Sequence, residues 1–127
     1  LYFYPADGTP GCTKQACCLR DNYSAFKKLG AVIVGVNYNS QESHNSFLEK
    51  HHLPFALLSD TDKEVAKLYG AKNWWFWPWP SRKTFIIDAD GIIRIIMEHV
   101  DVMTHTADVL HAVEQLVNSS SDESHKE

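Results

Sequence analysis

The sequence predicts an α/β fold in which a mixed central β-sheet is covered by helices. Three observations carry that reading. Short β-rich runs alternate with helix-like segments through the first half of the chain. Asp90-Gly91 then separates two β-branched runs, a strong antiparallel hairpin signal. Finally, a closing amphipathic segment follows the hairpin. Alternating elements that feed a terminal hairpin and helix bring parallel and antiparallel strands into one sheet, with helices on both faces.

Each element has its own signal. Leu1-Tyr2-Phe3-Tyr4 reads as a strand that runs into the turn-rich stretch Pro5-Ala6-Asp7-Gly8-Thr9-Pro10-Gly11-Cys12. Residues 13–29 carry Ala16, Cys17, Tyr23, Phe26 and Leu29 at helical spacing, with Gly30 as the stop. Residues 31–36 form a near-continuous apolar run, the pattern of a strand covered on both faces. Asn39 and Glu42 stand at capping-box spacing before a helix to about His51. Residues 54–58 give a short strand, and Thr61 with Glu64 repeats the capping-box spacing before Val65, Ala66, Leu68 and Tyr69. Residues 70–81 are irregular and aromatic, with Trp74, Trp75, Phe76, Trp77 and Trp79. Strands at 84–88 and 92–97 flank the Asp90-Gly91 turn, and Val109, Leu110, Val113 and Leu116 mark a last helix over 106–118. Residues 1–118 are thus expected to be one domain, and the polar tail 119–127 to be disordered. The order β-α-β-α-β-α-loop-β-β-α is a thioredoxin-like plan.

Composition narrows the function classes. Apolar content of 44% and charged content of 22% are ordinary for a globular domain, and a net charge of −4 gives no reason to expect nucleic acid or an anionic membrane as partner. The apolar runs are too short to span a bilayer. The three cysteines at 12, 17 and 18 are clustered and odd in number, unlike a secreted disulfide framework. Their C-x4-C-C spacing also lacks the paired arrangement of a zinc site. Redox chemistry in a reducing compartment fits them better.

Cys12 holds the most informative position. It lies where a strand turns into a helix, and the first turn of a helix leaves N–H groups unpaired. Those groups and the helix dipole favour the thiolate form of a sulfur placed there. In open α/β sheets, ligand chemistry also tends to lie beyond the C-terminal ends of strands.

Pro5-x-x-x-Thr9-x-x-Cys12 matches the peroxidatic motif of the peroxiredoxins. Tyr2-Phe3-Tyr4-Pro5, Thr9-Pro10-Gly11-Cys12-Thr13, Ala16-Cys17, Leu19-Arg20-Asp21, Leu57-Leu58-Ser59-Asp60 and Pro80-Ser81-Arg82-Lys83-Thr84-Phe85 together resemble its peroxiredoxin Q, or bacterioferritin comigratory protein, branch. The resemblance covers residues 1–117 and implies a thiol peroxidase acting on hydrogen peroxide and organic hydroperoxides. It makes Cys12 the peroxidatic nucleophile and Cys17 the resolving thiol. A thioredoxin-type dithiol is the implied reductant, and no metal, haem or flavin is required. Thr9 can donate and accept, so it can orient the peroxide while contacting the thiolate. Pro5 fixes the loop and shields the sulfur. The family also places the arginine that matches Arg82 beside the sulfur, where a permanent cation favours thiolate and developing oxyanion.

Five residues along an unbroken helix separate Cys12 and Cys17 by ~7.5 Å of rise and roughly 140° of rotation. A disulfide needs Cα atoms ~4.4–6.8 Å apart, so residues 10–20 are expected to unwind in each cycle. Cys18 departs from the family pattern and is expected to be a packing residue. Arg20 and Arg94 are expected to be surface charges, and His51-His52 to be solvated at a helix end. The aromatic loop is expected to pack beside the active site or at a subunit contact. A monomer or weak dimer in the cytoplasm or an organelle stroma completes the expectation, with N-terminal strands of the family preceding Leu1. Two rivals differ in class. A thiol–disulfide oxidoreductase would prefer C-x2-C, and a cysteine-based metal or interaction module leaves Pro5, Thr9 and Arg82 without a role.

Overall fold

The computed structural model describes residues 1–73 and 78–125. In chain order its elements are β1 (Tyr2–Phe3), α1 (Pro10–Asp21), α2 (Tyr23–Lys28), β2 (Val34–Asn37), α3 (Gln41–His51), β3 (Ala56–Ser59), α4 (Glu64–Tyr69), β4 (Lys83–Ile87), β5 (Ile93–Met97) and α5 (His105–His125). Among the described residues the strands form one sheet in the order β3-β2-β1-β4-β5. β1 pairs with β2, and β2 with β3, in parallel; β1 with β4, and β4 with β5, run antiparallel. The expected mixed sheet is present, and β1, which leads into the Cys12 loop, lies at its centre.

Strand alternation explains the two-sided core. Tyr2 and Tyr4 face a layer that contains Ala16 and Leu19 of α1, Phe26 of α2 and Phe47 of α3, with Val109 and Val113 of α5 packed against it. Phe3, between them, faces the opposite layer with Val36, Ala66 of α4 and Phe85. Successive side chains on a strand point to opposite faces, so this one short strand anchors both layers. Gly35 of β2 has no side chain for a steric reason. A Cβ there would lie 2.7 Å from Leu57 Cδ2 and 3.0 Å from the Tyr2 ring.

Several boundaries differ from the expectation. The helix expected over 13–29 begins earlier and divides at Asn22, whose side-chain Nδ2 donates to the Cys18 carbonyl at 2.9 Å. Asparagine side chains compete for backbone partners in this way and interrupt helices. Ser40, not Asn39, caps α3, accepting from Ser43 N–H. Asn39 Oδ1 is engaged instead by the Asp7 N–H and Asn37 Nδ2. Lys63, in the left-handed region, is the N-cap of α4, and the Asp60 carboxylate, not Thr61, accepts from the N–H groups of Val65 and Ala66 in its first turn. Val32 lies before β2 and is exposed, so the covered strand is shorter than its apolar run.

The final helix extends to His125, past the end expected at Asn118 and through the stretch expected to be disordered. Residues 119–125 contain neither Gly nor Pro, and each residue added to a formed helix gains a hydrogen bond. Trp74, Trp75, Phe76 and Trp77 lie outside the described residues, so the packing role expected of that loop does too.

Candidate active site

The site is assembled on the turn between β1 and α1. Tyr4 N–H continues the ladder by donating to Val36 O at 3.2 Å. Half-buried Pro5 then contributes no N–H, and the chain reverses through Gly8 in the left-handed region at φ +78°. Thr9 is the extended N-cap of α1, and Pro10, with φ pre-set for a helix, takes its first position. Cys12 therefore lies inside the first turn, 1% exposed. Thr13 N–H reaches Thr9 O at 2.8 Å, while the Gly11 and Cys12 N–H groups have no partner among the described residues. These two orphan donors are the anion-favouring end of the helix.

Arg82 arrives from the segment before β4. Its Nη2 donates to Cys12 Sγ at 3.4 Å and its Nη1 to Gln15 Oε1 at 2.6 Å. A Cβ on Gly11 would stand 3.5 Å from the same Nη2, so the guanidinium lies across the Gly11–Cys12 turn. The approach of Arg82 is fixed from behind. Ser81 N–H donates to Ala71 O at 2.7 Å, and Ser81 Oγ to Asn73 Oδ1 at 2.6 Å. A permanent cation and two free N–H groups around one buried thiol make a pocket for a thiolate and for a second developing negative charge.

Asp7 organises the loop that leads to this turn. Its Oδ1 accepts from Tyr4 Oη at 2.5 Å and Asn37 Nδ2 at 3.1 Å. Its Oδ2 accepts from Ser43 Oγ and His44 Nδ1, both at 2.7 Å. The fully buried His44 ring donates from Nε2 to Leu58 O. Burial alone would raise the pKa of Asp7, but the bonds from His44, Tyr4 and Ser43 outweigh it and hold the carboxyl below its ordinary value. The Tyr4 hydroxyl moves the other way, its pKa raised by burial and by donation to Asp7. Beneath α1, the buried Tyr2 hydroxyl has no partner among the described residues, and burial followed by the nearby Cys12 raises its pKa.

The predicted residues meet unevenly. Cys12 and Arg82 are in contact, Pro5 lies at the loop entrance, and Cys17 occupies the second half of α1. The Thr9 hydroxyl donates to Ala6 O at 3.0 Å, and no contact with Cys12 Sγ is made. All three cysteines are free thiols. Cys18 is partly exposed, not a buried packing residue. His51 is more than a solvated helix end. Its Nδ1 lies 3.8 Å from Cys17 Sγ, its ring packs edge-on against Phe47, and its carbonyl accepts from Arg20 Nη1 at 2.7 Å. Arg20 also pairs with Asp21, and Arg94 with Asp88.

Sequence reasoning missed Gln15, Asp7, His44 and His105. A buried polar side chain at helical spacing from Cys12 was the available signal for Gln15. Asp7 and His44 gave none, because their pairing depends on α3 folding back over the loop.

The comparisons with known proteins agree with this geometry. The AhpC/TSA family matches residues 1–96. The chloroplastic peroxiredoxin Q of Sedum lineare is 49% identical over 96 residues, which are 76% of this chain and 52% of that protein. The Arabidopsis thaliana protein of the same name is 47% identical, with 44% of its length covered. The chain thus spans about half the length of the curated relatives it matches. Among solved structures, the bacterioferritin comigratory protein of Xanthomonas campestris superposes with a TM-score of 0.85 at 30% identity, over 91% of this chain and 77% of that one. Peroxidoxin BcpB of Mycobacterium tuberculosis gives 0.83 at 31%, over 90% and 76%. The sheet is therefore that of the thioredoxin-like fold, and the chain belongs to the AhpC/TSA family, in its peroxiredoxin Q branch.

Proposed function

We propose that the chain is the catalytic portion of a thiol peroxidase that reduces hydrogen peroxide and organic hydroperoxides through Cys12. The contact of Arg82 Nη2 with the buried Cys12 Sγ at the unpaired first turn of α1 carries this reading. The Cys12 thiolate attacks one peroxide oxygen, an S–O bond forms as the O–O bond breaks, and Cys12 becomes a sulfenic acid. Arg82 and the Gly11 and Cys12 N–H groups stabilise charge on the oxygen that leaves, which takes up the peroxide proton and departs as water or an alcohol while the other oxygen stays on sulfur. The Thr9 hydroxyl retains acceptor capacity for the incoming peroxide proton, and Pro5 excludes water from the sulfur. The related Xanthomonas protein is described by its alkyl peroxide reduction activity, which supports organic hydroperoxides as substrates.

Cys17 resolves the sulfenic acid in this reading. His51 Nδ1 is placed to take the Cys17 proton. The resulting thiolate attacks Cys12 sulfur, an S–S bond replaces the S–O bond, and hydroxide leaves as water with that proton. Residues 10–20 unwind to let the sulfurs meet. An external dithiol such as thioredoxin then reduces the disulfide, so the cycle serves antioxidant defence. The chloroplastic relatives support an organelle stroma as the compartment.

The test is an assay of NADPH loss coupled to thioredoxin, its reductase and hydrogen peroxide. Wild type should turn over, Cys12→Ser should not, Cys17→Ser should stall after one equivalent of peroxide, and Cys18→Ser should retain nearly full turnover. Undiminished peroxide consumption by Cys12→Ser sinks the peroxidatic assignment. Normal cycling by Cys17→Ser together with a stalled Cys18→Ser moves resolution to Cys18.

A further inference from the structure

A buried hydrogen-bond chain continues behind Arg82. Gln15 Oε1 accepts from Arg82 Nη1 at 2.6 Å, Gln15 Nε2 lies 3.2 Å from His105 Nδ1, and His105 Nε2 lies 2.8 Å from Thr84 Oγ1. Gln15, His105 and Thr84 are 0%, 2% and 3% exposed, so water does not replace any link. The links join α1, α5 and β4, and end two residues from where they began.

The donor and acceptor roles along the chain are fixed. A guanidinium only donates, so the Gln15 amide must turn its oxygen to Arg82 and its –NH2 to His105. An –NH2 only donates, so His105 Nδ1 must be the bare, accepting nitrogen. The single ring proton then lies on Nε2 and is donated to Thr84 Oγ1. Any side chain at 105 that cannot accept at the Nδ1 position frees Gln15 to rotate, which presents –NH2 to the guanidinium, donor against donor.

We propose that His105 is a positioning residue for the peroxidatic step: through Gln15 it sets the Arg82 guanidinium on Cys12 Sγ, so docking of α5 controls the reactivity of the sulfur. Protonated at both nitrogens, the ring would break the chain. Burial first, and then the charge of Arg82, keep it neutral to about pH 4. The other side-chain charge acting on it is Asp108, one turn along α5. The proposal rests on the peroxidase reading above, and its test separates the two.

Rapid-mixing measurements of kcat/KM for hydrogen peroxide across pH, with Tm in parallel, decide it. His105→Gln retains a donor toward Thr84 but offers Gln15 no acceptor at the Nδ1 position. It should lose about tenfold or more in kcat/KM and move the acid limb of the profile to higher pH. His105→Asn places an amide oxygen near the Nδ1 position and should recover most of that loss at a similar Tm. In an Arg82→Gln background, His105→Gln should cost nothing further, because the two act as one unit. Unchanged kcat/KM and acid limb in His105→Gln overturn the proposal, as do losses that add fully to those of Arg82→Gln. Equal losses in His105→Asn and His105→Gln that track Tm reduce His105 to a structural residue. Undiminished peroxide reduction by Cys12→Ser, in contrast, removes the peroxidase reading itself.

Discussion

The two halves of α1 are held in opposite ways. The first carries Cys12 and Gln15, both fully buried, and meets a cation that is itself fixed by a hydrogen-bond chain through His105 to Thr84. The second carries Cys17, Cys18 and Arg20, all partly exposed, and meets α3 through one long sulfur–nitrogen contact and one arginine–carbonyl bond. The front is built for fixed geometry around a reacting sulfur. The back is anchored in the core by Leu19, but the contacts around Cys17 lie within reach of water, and such contacts open at low cost. A helix that must react at one end and unwind to complete its cycle is served by that asymmetry.

Breaking the front should have the largest effect. Arg82→Gln removes the cation from Cys12 while leaving a side chain of similar reach. The loss in kcat/KM for peroxide should be about 10²–10³, the cost of removing one preorganised donor from a developing negative charge. KM-independent loss in single-turnover kinetics checks it. A loss below about threefold would mean that the Gly11 and Cys12 N–H groups suffice alone.

The same asymmetry decided what could be read in advance. Pro5, Thr9 and Cys12 could be singled out because a loop and its helix start impose fixed residue types at short spacing, whereas Arg82, 70 residues from Cys12, could be singled out only by the resemblance to the peroxiredoxins. The mixed sheet was legible because period-2 alternation in Tyr2-Phe3-Tyr4 and the Asp90-Gly91 turn are local signals. Gln15 with His105, and Asp7 with His44, join residues 90 and 37 positions apart, which no local pattern encodes. The side chains expected to bond the first turns of α3 and α4 were replaced by neighbours for a related reason. Asn39 was already engaged by Asp7, and Asp60 could reach two N–H groups where Thr61 could not.

A pH series sharpens the comparison, because His105 belongs to the front alone. Its pKa falls from an ordinary 6.5 to about 4 on folding. Between those values the unfolded chain binds a proton that the folded chain refuses, so stability rises with pH across the window. The contribution is complete above about pH 6.5 and lost as pH falls to about 4, amounting to roughly 3 kcal/mol. Urea midpoints should fall over that range in wild type and flatten in His105→Gln. Asp7, with its lowered pKa, adds its own loss only at still lower pH, as its carboxylate is protonated. A wild-type curve flat from pH 7 to about 4 would contradict the neutral buried ring.

The smallest effect is expected at the back. Arg20 donates to His51 O from a side chain that is one-third exposed, and its pair with Asp21 is exposed too, so neither bond adds much stability. Arg20→Met keeps the aliphatic stem and removes the bond that ties α1 to the end of α3. Stability should barely change. The rate of Cys12–Cys17 disulfide formation after one equivalent of peroxide should rise by about twofold to fivefold, because less of α1 has to be released. The peroxide step itself should not change, since Arg82 and Gln15 lie at the other end of the helix. A slower disulfide step would reverse this reading: Arg20 would then hold His51 against Cys17 for deprotonation, and that service would outweigh the restraint it places on unwinding.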